Sequence, residues 1–234
     1  MMSNVCVSTM FPKHVIVTGL VWEFESSRRL QLEDNMILIG DVHGKFGRYK
    51  TLTENLKDTI QIGDMGVGFM NFHGEYTSNP PYDHMVKGNH RFIRGNHDNP
   101  GVCRNHKQWI KDGTVENDVM FVGGGYSIDK VYRTEGIDWW RDEEVSKTES
   151  DIIIDTYLNI KPRVMITHDC PIEIVELMHP KNLFGNSFTQ KLMQYLFEHH
   201  KPELWVYGHH HMSFRQTVKG TKFVCLNELE LMEC

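Results

Sequence analysis

Met36-Ile37-Leu38-Ile39-Gly40-Asp41-Val42-His43-Gly44 is a short apolar run that ends in a glycine, followed by two side chains able to ligate a metal. A similar arrangement, an apolar run bounded by glycine or a turn residue and then a side chain able to ligate, recurs four more times. Thr59-Ile60-Gln61-Ile62 leads into Gly63-Asp64, Arg91-Phe92-Ile93-Arg94 into Gly95-Asn96-His97-Asp98, Val164-Met165-Ile166 into Thr167-His168-Asp169, and Leu204-Trp205-Val206-Tyr207 into Gly208-His209-His210-His211. Unbroken apolar runs of this length, bounded by turn residues, read as strands buried on both faces, which is the habit of parallel sheets. Side chains placed at the carboxyl ends of such strands converge in one crevice. The reading is therefore an α/β fold with its site at the strand ends.

Helical segments separate these strands. They are expected over residues 46–56, over 172–178 behind Pro171, and over 187–200, where Ser187 and Gln190 stand at capping-box spacing. Residues 120–122 read as a further strand. Residues 212–217 and 221–226 read as a hairpin turning through Lys219-Gly220. His14 to Trp22 reads as one more strand. Residues 66–90 form a Gly-, Asn- and Pro-containing insertion long enough to imply either a part in shaping the pocket or a lack of order.

Asp41, His43, Asp64, Asn96, His168, His209 and His211 are seven oxygen and nitrogen donors. If one carboxylate bridges, each of two cations gains four donors and keeps room for water and a substrate oxygen, as two-metal phosphoester chemistry requires. In Asp41-x-His43 and His209-x-His211 the donors are two apart, so an extended backbone would send each pair to one side and turn Val42 and His210 away. Oxygen and imidazole donors without thiolate suit manganese, with iron or zinc as alternatives. Cys170 reads as a buried thiol, since the ligand set is complete without it.

At 234 residues and 40% hydrophobic composition the chain fits one globular domain, 1–234. A net charge of −6 supplies no global basic field, so strong binding to duplex nucleic acid is not expected. Residues 134–151 hold seven acidic side chains against Arg141 and Lys147, and read as a solvated loop and helix start. Five scattered cysteines form no close pair motif, which points to free thiols in a reduced compartment. No apolar run approaches a membrane span, and no basic-then-apolar leader opens the sequence. A soluble, cytoplasmic protein is expected.

The ordered set of five motifs resembles the calcineurin-like metallophosphoesterase superfamily, from about Met36 to His211, in its small bacterial and phage-type members. The resemblance implies a four-layer α/β/β/α sandwich and hydrolysis of phosphomonoesters by a metal-bridging water. It also implies that Asp41, His43, Asp64 and His211 hold one metal, and that Asp64, Asn96, His168 and His209 hold the other. His97, beside Asn96, takes the family's place of general acid for the leaving alkoxide, with Asp98 as the carboxylate orienting it. The implied substrate is a phosphorylated small molecule or a phosphoprotein. A phosphodiesterase or nuclease, a diadenosine polyphosphate hydrolase, and a non-catalytic scaffold of the same fold are the competing readings.

The chain departs from the protein phosphatase branch, which carries Gly-Asp-x-Val-Asp-Arg-Gly at the second motif. Here the stretch is Gly63-Asp64-Met65-Gly66-Val67-Gly68-Phe69, without the later Asp or the phosphate-gripping Arg. Arg94 does match that branch's third motif, and Arg133 is a candidate replacement for the missing grip. Trp139 and Trp140 are candidates to stack a base or line a pocket. The segment 126–144, like 66–90, is expected to shape the substrate site.

Overall fold

The computed structural model describes residues 36–180 and 187–234; the strand expected at 14–22 lies outside them. Two sheets pack face to face. The first has the order β10-β1-β2-β3, built from β1 (Ile37–Ile39), β2 (Thr59–Ile62), β3 (Arg91–Ile93) and β10 (Leu231–Glu233). β1, β2 and β3 run parallel and β10 antiparallel. The second has the order β4-β5-β6-β7-β9-β8, from β4 (Val115–Glu116), β5 (Val119–Val122), β6 (Val164–Thr167), β7 (Leu204–Tyr207), β8 (Phe214–Val218) and β9 (Thr221–Cys225). β5, β6, β7 and β9 are parallel neighbours, while β8 and β9 form the expected hairpin.

The layers follow from the strict alternation of apolar side chains along buried strands. Leu38, Ile60, Ile62 and Ile93 of the first sheet meet Phe121, Ile166, Val206 and Val224 of the second in the central core. Their sequence neighbours face outward. Ile39 and Phe92 pack under α1 (Phe46–Thr53), α2 (Tyr82–Gly88) and α3 (Pro100–Cys103), through Tyr49, Met85 and Cys103. Met120, Met165, Trp205 and Phe223 pack under α4 (Lys147–Ile160), α5 (Ile172–Met178) and α6 (Phe188–His199), through Tyr157, Ile174 and Phe197. Three cores between four layers make the fold an α/β/β/α sandwich. Phe121 is 1% exposed at the central interface, and its truncation to alanine would cost about 3–5 kcal/mol.

Local chemistry sets the helix boundaries. Ser187 Oγ accepts the Gln190 N–H at 3.1 Å, but the returning arm comes from elsewhere: Glu144 Oε1 accepts the Ser187 hydroxyl at 2.8 Å and the Thr189 N–H at 3.0 Å. α4 carries a full capping box, Ser146 with Glu149. The first helix stops at Thr53, three residues before the expected end. The acidic stretch is more than a solvated loop, because Glu143 is 3% exposed and Glu144 caps a helix. The 66–90 insertion holds a Met70–Tyr76 bridge and α2. Cys103, Cys170, Cys225 and Cys234 are free thiols, the first three buried. Among the described residues no helix is long and apolar enough to cross a membrane.

Candidate metal centre

The five motifs meet at one edge of the sandwich, with Asp41 and His43 following β1, Asp64 following β2, Asn96 following β3, His168 following β6, and His209 and His211 following β7. The two glycines nearest the acidic ligands show why side chains are barred there. A Cβ on Gly95 would stand 2.0 Å from Asp64 Oδ1, and one on Gly208 would stand 2.3 Å from Asp41 Oδ1. The backbone is not extended at the ligands, contrary to the sequence expectation. His43, Asp64, His209 and His211 adopt left-handed φ values of 47°, 59°, 67° and 49°. Each such residue costs on the order of 1–2 kcal/mol, and strain of this kind concentrates at functional sites.

Two groups of donor atoms result. In the first, His43 Nε2 lies 3.6 Å from Asp41 Oδ2 and 3.7 Å from Asp64 Oδ2, and His211 Nε2 lies 3.3 Å from Asp41 Oδ2 and 2.8 Å from His43 Nε2. In the second, His168 Nε2 lies 3.3 Å from Asp64 Oδ1 and 3.1 Å from Asn96 Oδ1, with His209 completing it. Ligands about 2.0–2.2 Å from an ion stand roughly 3–3.5 Å from one another, and these separations match. Asp64 belongs to both groups, one oxygen toward each. His168 Nδ1–H donates to the Ile62 carbonyl at 3.1 Å, which fixes the tautomer that leaves Nε2 free to ligate.

The electrostatics ask for positive charge. Asp41 and Asp64 are fully buried, and their ion pairs are with histidines. Burial opposes ionisation of Asp41, yet the His211 and His43 imidazoles hold its carboxyl down to about 2. Burial likewise disfavours a charged His168, but Asp64 and Asp41 raise it to about 10. Asp64 Oδ2 is buried with no hydrogen-bond partner. A divalent cation in the first group would satisfy that oxygen, and one in the second would take the place of the His168 proton, so the residues fit the ions.

A profile of calcineurin-like phosphoesterases matches residues 35–213 of the chain. The chain belongs to that family. No curated protein matches it. Among solved structures, the phosphopantetheinyl hydrolase from Mycobacterium tuberculosis is similar at 12% identity and a TM-score of 0.42, covering 82% of this chain and 89% of that one. The family establishes a phosphoesterase hydrolase, and its reactions generally use divalent metals.

The remaining site residues are placed less as the sequence suggested. His97 is half-buried at the mouth, stacked on Phe69 of the 66–90 insertion and edge-on to His43, and its backbone N–H donates to Asp64 Oδ1 at 2.7 Å. Asp98 does not touch its imidazole. The Asp98 carboxylate instead accepts backbone N–H groups of Met65, Gly66, Val67 and Gly95 at 2.7–3.2 Å, which locks the Asp64 loop against the Asn96 loop. Its role is architectural, because four amides already surround it.

Arg94 is no phosphate grip either. It is 1% exposed, paired to Asp112 at 2.8 Å and bonded to the Glu143 carbonyl at 2.6 Å, so a substrate cannot reach it. Arg133 does approach the site, with Nη2 3.4 Å from His97 Nε2, but Asp129 binds its guanidinium at 2.7 and 2.8 Å. Trp140 is buried edge-on against Phe69, and the half-buried Trp139 does not line the cavity. His210, expected to point away, lines the cavity, and its Nε2 is 3.2 Å from Asp169 Oδ1.

Asp169, Ser127 and Glu143 are residues that the sequence did not single out. Asp169 is fully buried; its Oδ1 accepts the Cys170 N–H at 2.8 Å and meets His210, while Oδ2, 3.9 Å from His209 Nε2, has no hydrogen-bond partner. Its position directly after His168 was the available signal. A cavity of about 800 Å³ opens on the donor groups, and its far wall includes Tyr126, Ile128, Met178 and Pro180.

Proposed function

We propose that the protein hydrolyses phosphomonoesters of small organic alcohols at a pair of divalent cations, manganese foremost, with His97 as the general acid. The observation that carries this reading is the division of Asp64 between two donor groups that open on one cavity with His97 at its mouth. Asp41, His43, Asp64 and His211 would hold one cation, and Asp64, Asn96, His168 and His209 the other. Bound there, the pair supplies positive charge to phosphate oxygens and a water-derived nucleophile at neutral pH.

The chain's own residues supply the rest. Phe69 stacks behind the His97 ring and fixes its plane. Burial lowers the pKa of His97 against the pull of Asp64, and the Arg133 guanidinium lowers it further, so a proton held there is readily given to a leaving alkoxide. The lining residues Tyr126, Ile128, Met178 and Pro180 suit an organic group on the ester, and among the described residues the cavity lining holds no lysine or arginine to track a polyanion. With neither tryptophan in the cavity lining, the dinucleotide reading loses its stacking residues there. Retention of every donor and of His97 opposes a purely scaffolding role. A phosphorylated small molecule, or a phosphorylated side chain reaching the same cavity, is the substrate class, in a soluble protein of the cytoplasm.

Nitrophenyl phosphate, its bis ester and a labelled duplex, compared under one metal and at about 150 mM salt where nonspecific attraction is screened, test the substrate class. The monoester should be turned over fastest and the duplex barely. His97→Ala should keep both cations and lose about 10²–10⁴-fold in turnover of alkyl esters, less for nitrophenolate, which needs no acid. Preference for the diester or the duplex would overturn the monoesterase reading. An equal loss with good and poor leaving groups would remove His97 from the chemistry.

A further inference from the structure

Asn96 is the one amide among the seven proposed ligands, and an amide can present either end. Its carbonyl oxygen ligates a cation, whereas its NH₂ group repels one. The two ends have the same shape, so packing alone does not choose between them. Something must hold the nitrogen away from the metal.

The structure supplies that hold in a segment far off in sequence. Asn96 Nδ2 donates to Ser127 Oγ at 3.0 Å, while its Oδ1 faces His168 Nε2. Ser127 Oγ in turn donates to Glu143 Oε2 at 2.5 Å, and the Ser127 backbone N–H donates to Glu143 Oε1 at 3.0 Å. Asn96, Ser127 and Glu143 are 3%, 2% and 3% exposed, so water does not compete for these bonds. The polarity of the chain follows from the inventory of donors. A carboxylate only accepts, so the single hydroxyl proton of Ser127 is committed to Glu143. The lone pairs left on Ser127 Oγ accept only from the nitrogen end of Asn96, and the oxygen end is then forced toward His168. Glu143 is itself anchored, because Arg94, held by Asp112, binds its backbone carbonyl. The buried arginine thus has a place in the site after all, three hydrogen bonds removed from Asn96.

We propose that Ser127 and Glu143 are positioning residues that fix the Asn96 amide with its oxygen toward the cation held with His168 and His209, and so set the affinity of that one position. This rests on the two-cation reading. The test is calorimetric titration of Mn²⁺ into the metal-stripped full-length protein, which reads binding without activity. Ser127→Ala and Glu143→Gln should each weaken one of the two cations by about 10–100-fold, the usual size for a group that holds a ligand in place, and leave the other unchanged. The decisive arm is a mutant cycle with Asn96→Asp, whose two ends are both oxygens and need no orienting. In that background Ser127→Ala should produce no further loss. Wild-type affinities in Ser127→Ala, or the same loss with and without Asn96→Asp, would overturn the positioning role while leaving the two-cation centre standing. Uptake of fewer than two cations by the wild-type protein would overturn both together.

Discussion

The two halves of the proposed centre share Asp64 and differ in almost everything else. Around Asp41 the imidazoles lie toward solvent, with the His43 side chain 18% and the His211 side chain 47% exposed. Around Asn96, His168 is without exposure and the His209 side chain is 14% exposed, and two of the donors are held by a further residue: His168 by the Ile62 carbonyl and Asn96 by Ser127. Donors held by a surrounding shell lose little freedom on binding, while an exposed imidazole must be ordered by the ion itself. The inner position should therefore bind more tightly, and the outer one should exchange first.

The largest way to break this comparison is through the residue common to both halves. Asp64→Asn removes a charge from each group at once, and both cations and turnover should be lost. Elemental analysis of the purified variant checks it; wild-type metal content would remove Asp64 from its bridging place. A smaller and different loss is expected at Arg94, which supports the inner shell without touching it. Removing one partner of the buried Arg94–Asp112 pair costs about 3–5 kcal/mol, so Arg94→Leu should lower the denaturation midpoint sharply. Its KM for nitrophenyl phosphate should stay near wild type, because no substrate reaches that guanidinium, and a KM defect as large as the stability defect would restore it as a phosphate ligand. The smallest effect is expected of His210→Ala. Asp169 keeps the Cys170 N–H at 2.8 Å without it, so both cations and most turnover should survive, as metal content and a rate assay would show.

Reading depth in the sequence tracks how local each cause is. Strand, glycine and ligand stand within a few residues of one another, so the five motifs and an α/β fold with its site at the strand ends were legible from the runs and the residues that end them, while the four-layer arrangement came from the family resemblance. The helix starts were legible for the same reason, although the cap on α6 borrows Glu144 from more than forty residues away. Asp98 was misread because its partners are backbone amides of residues 65–67, which no spacing announces. The left-handed turns at His43, His209 and His211 defeated the assumption of an extended backbone, since glycine-free positive φ has no sequence signature. β10 was missed because three residues of mixed polarity at Leu231–Glu233 join the first sheet only through pairing with β1. Ser127 and Glu143 meet only in the fold, where Ser127 bonds both Asn96 and Glu143, and a lone serine and a glutamate in an acidic stretch look like surface.

Occupancy measured during a Mn²⁺ titration of the metal-stripped protein tests the unequal, two-cation centre most directly, with His211→Ala and His168→Ala as controls. Two cations per chain of clearly different affinity are expected, the weaker lost in His211→Ala and the tighter in His168→Ala. A single cation per chain, or two of equal affinity lost together in either variant, would contradict that arrangement.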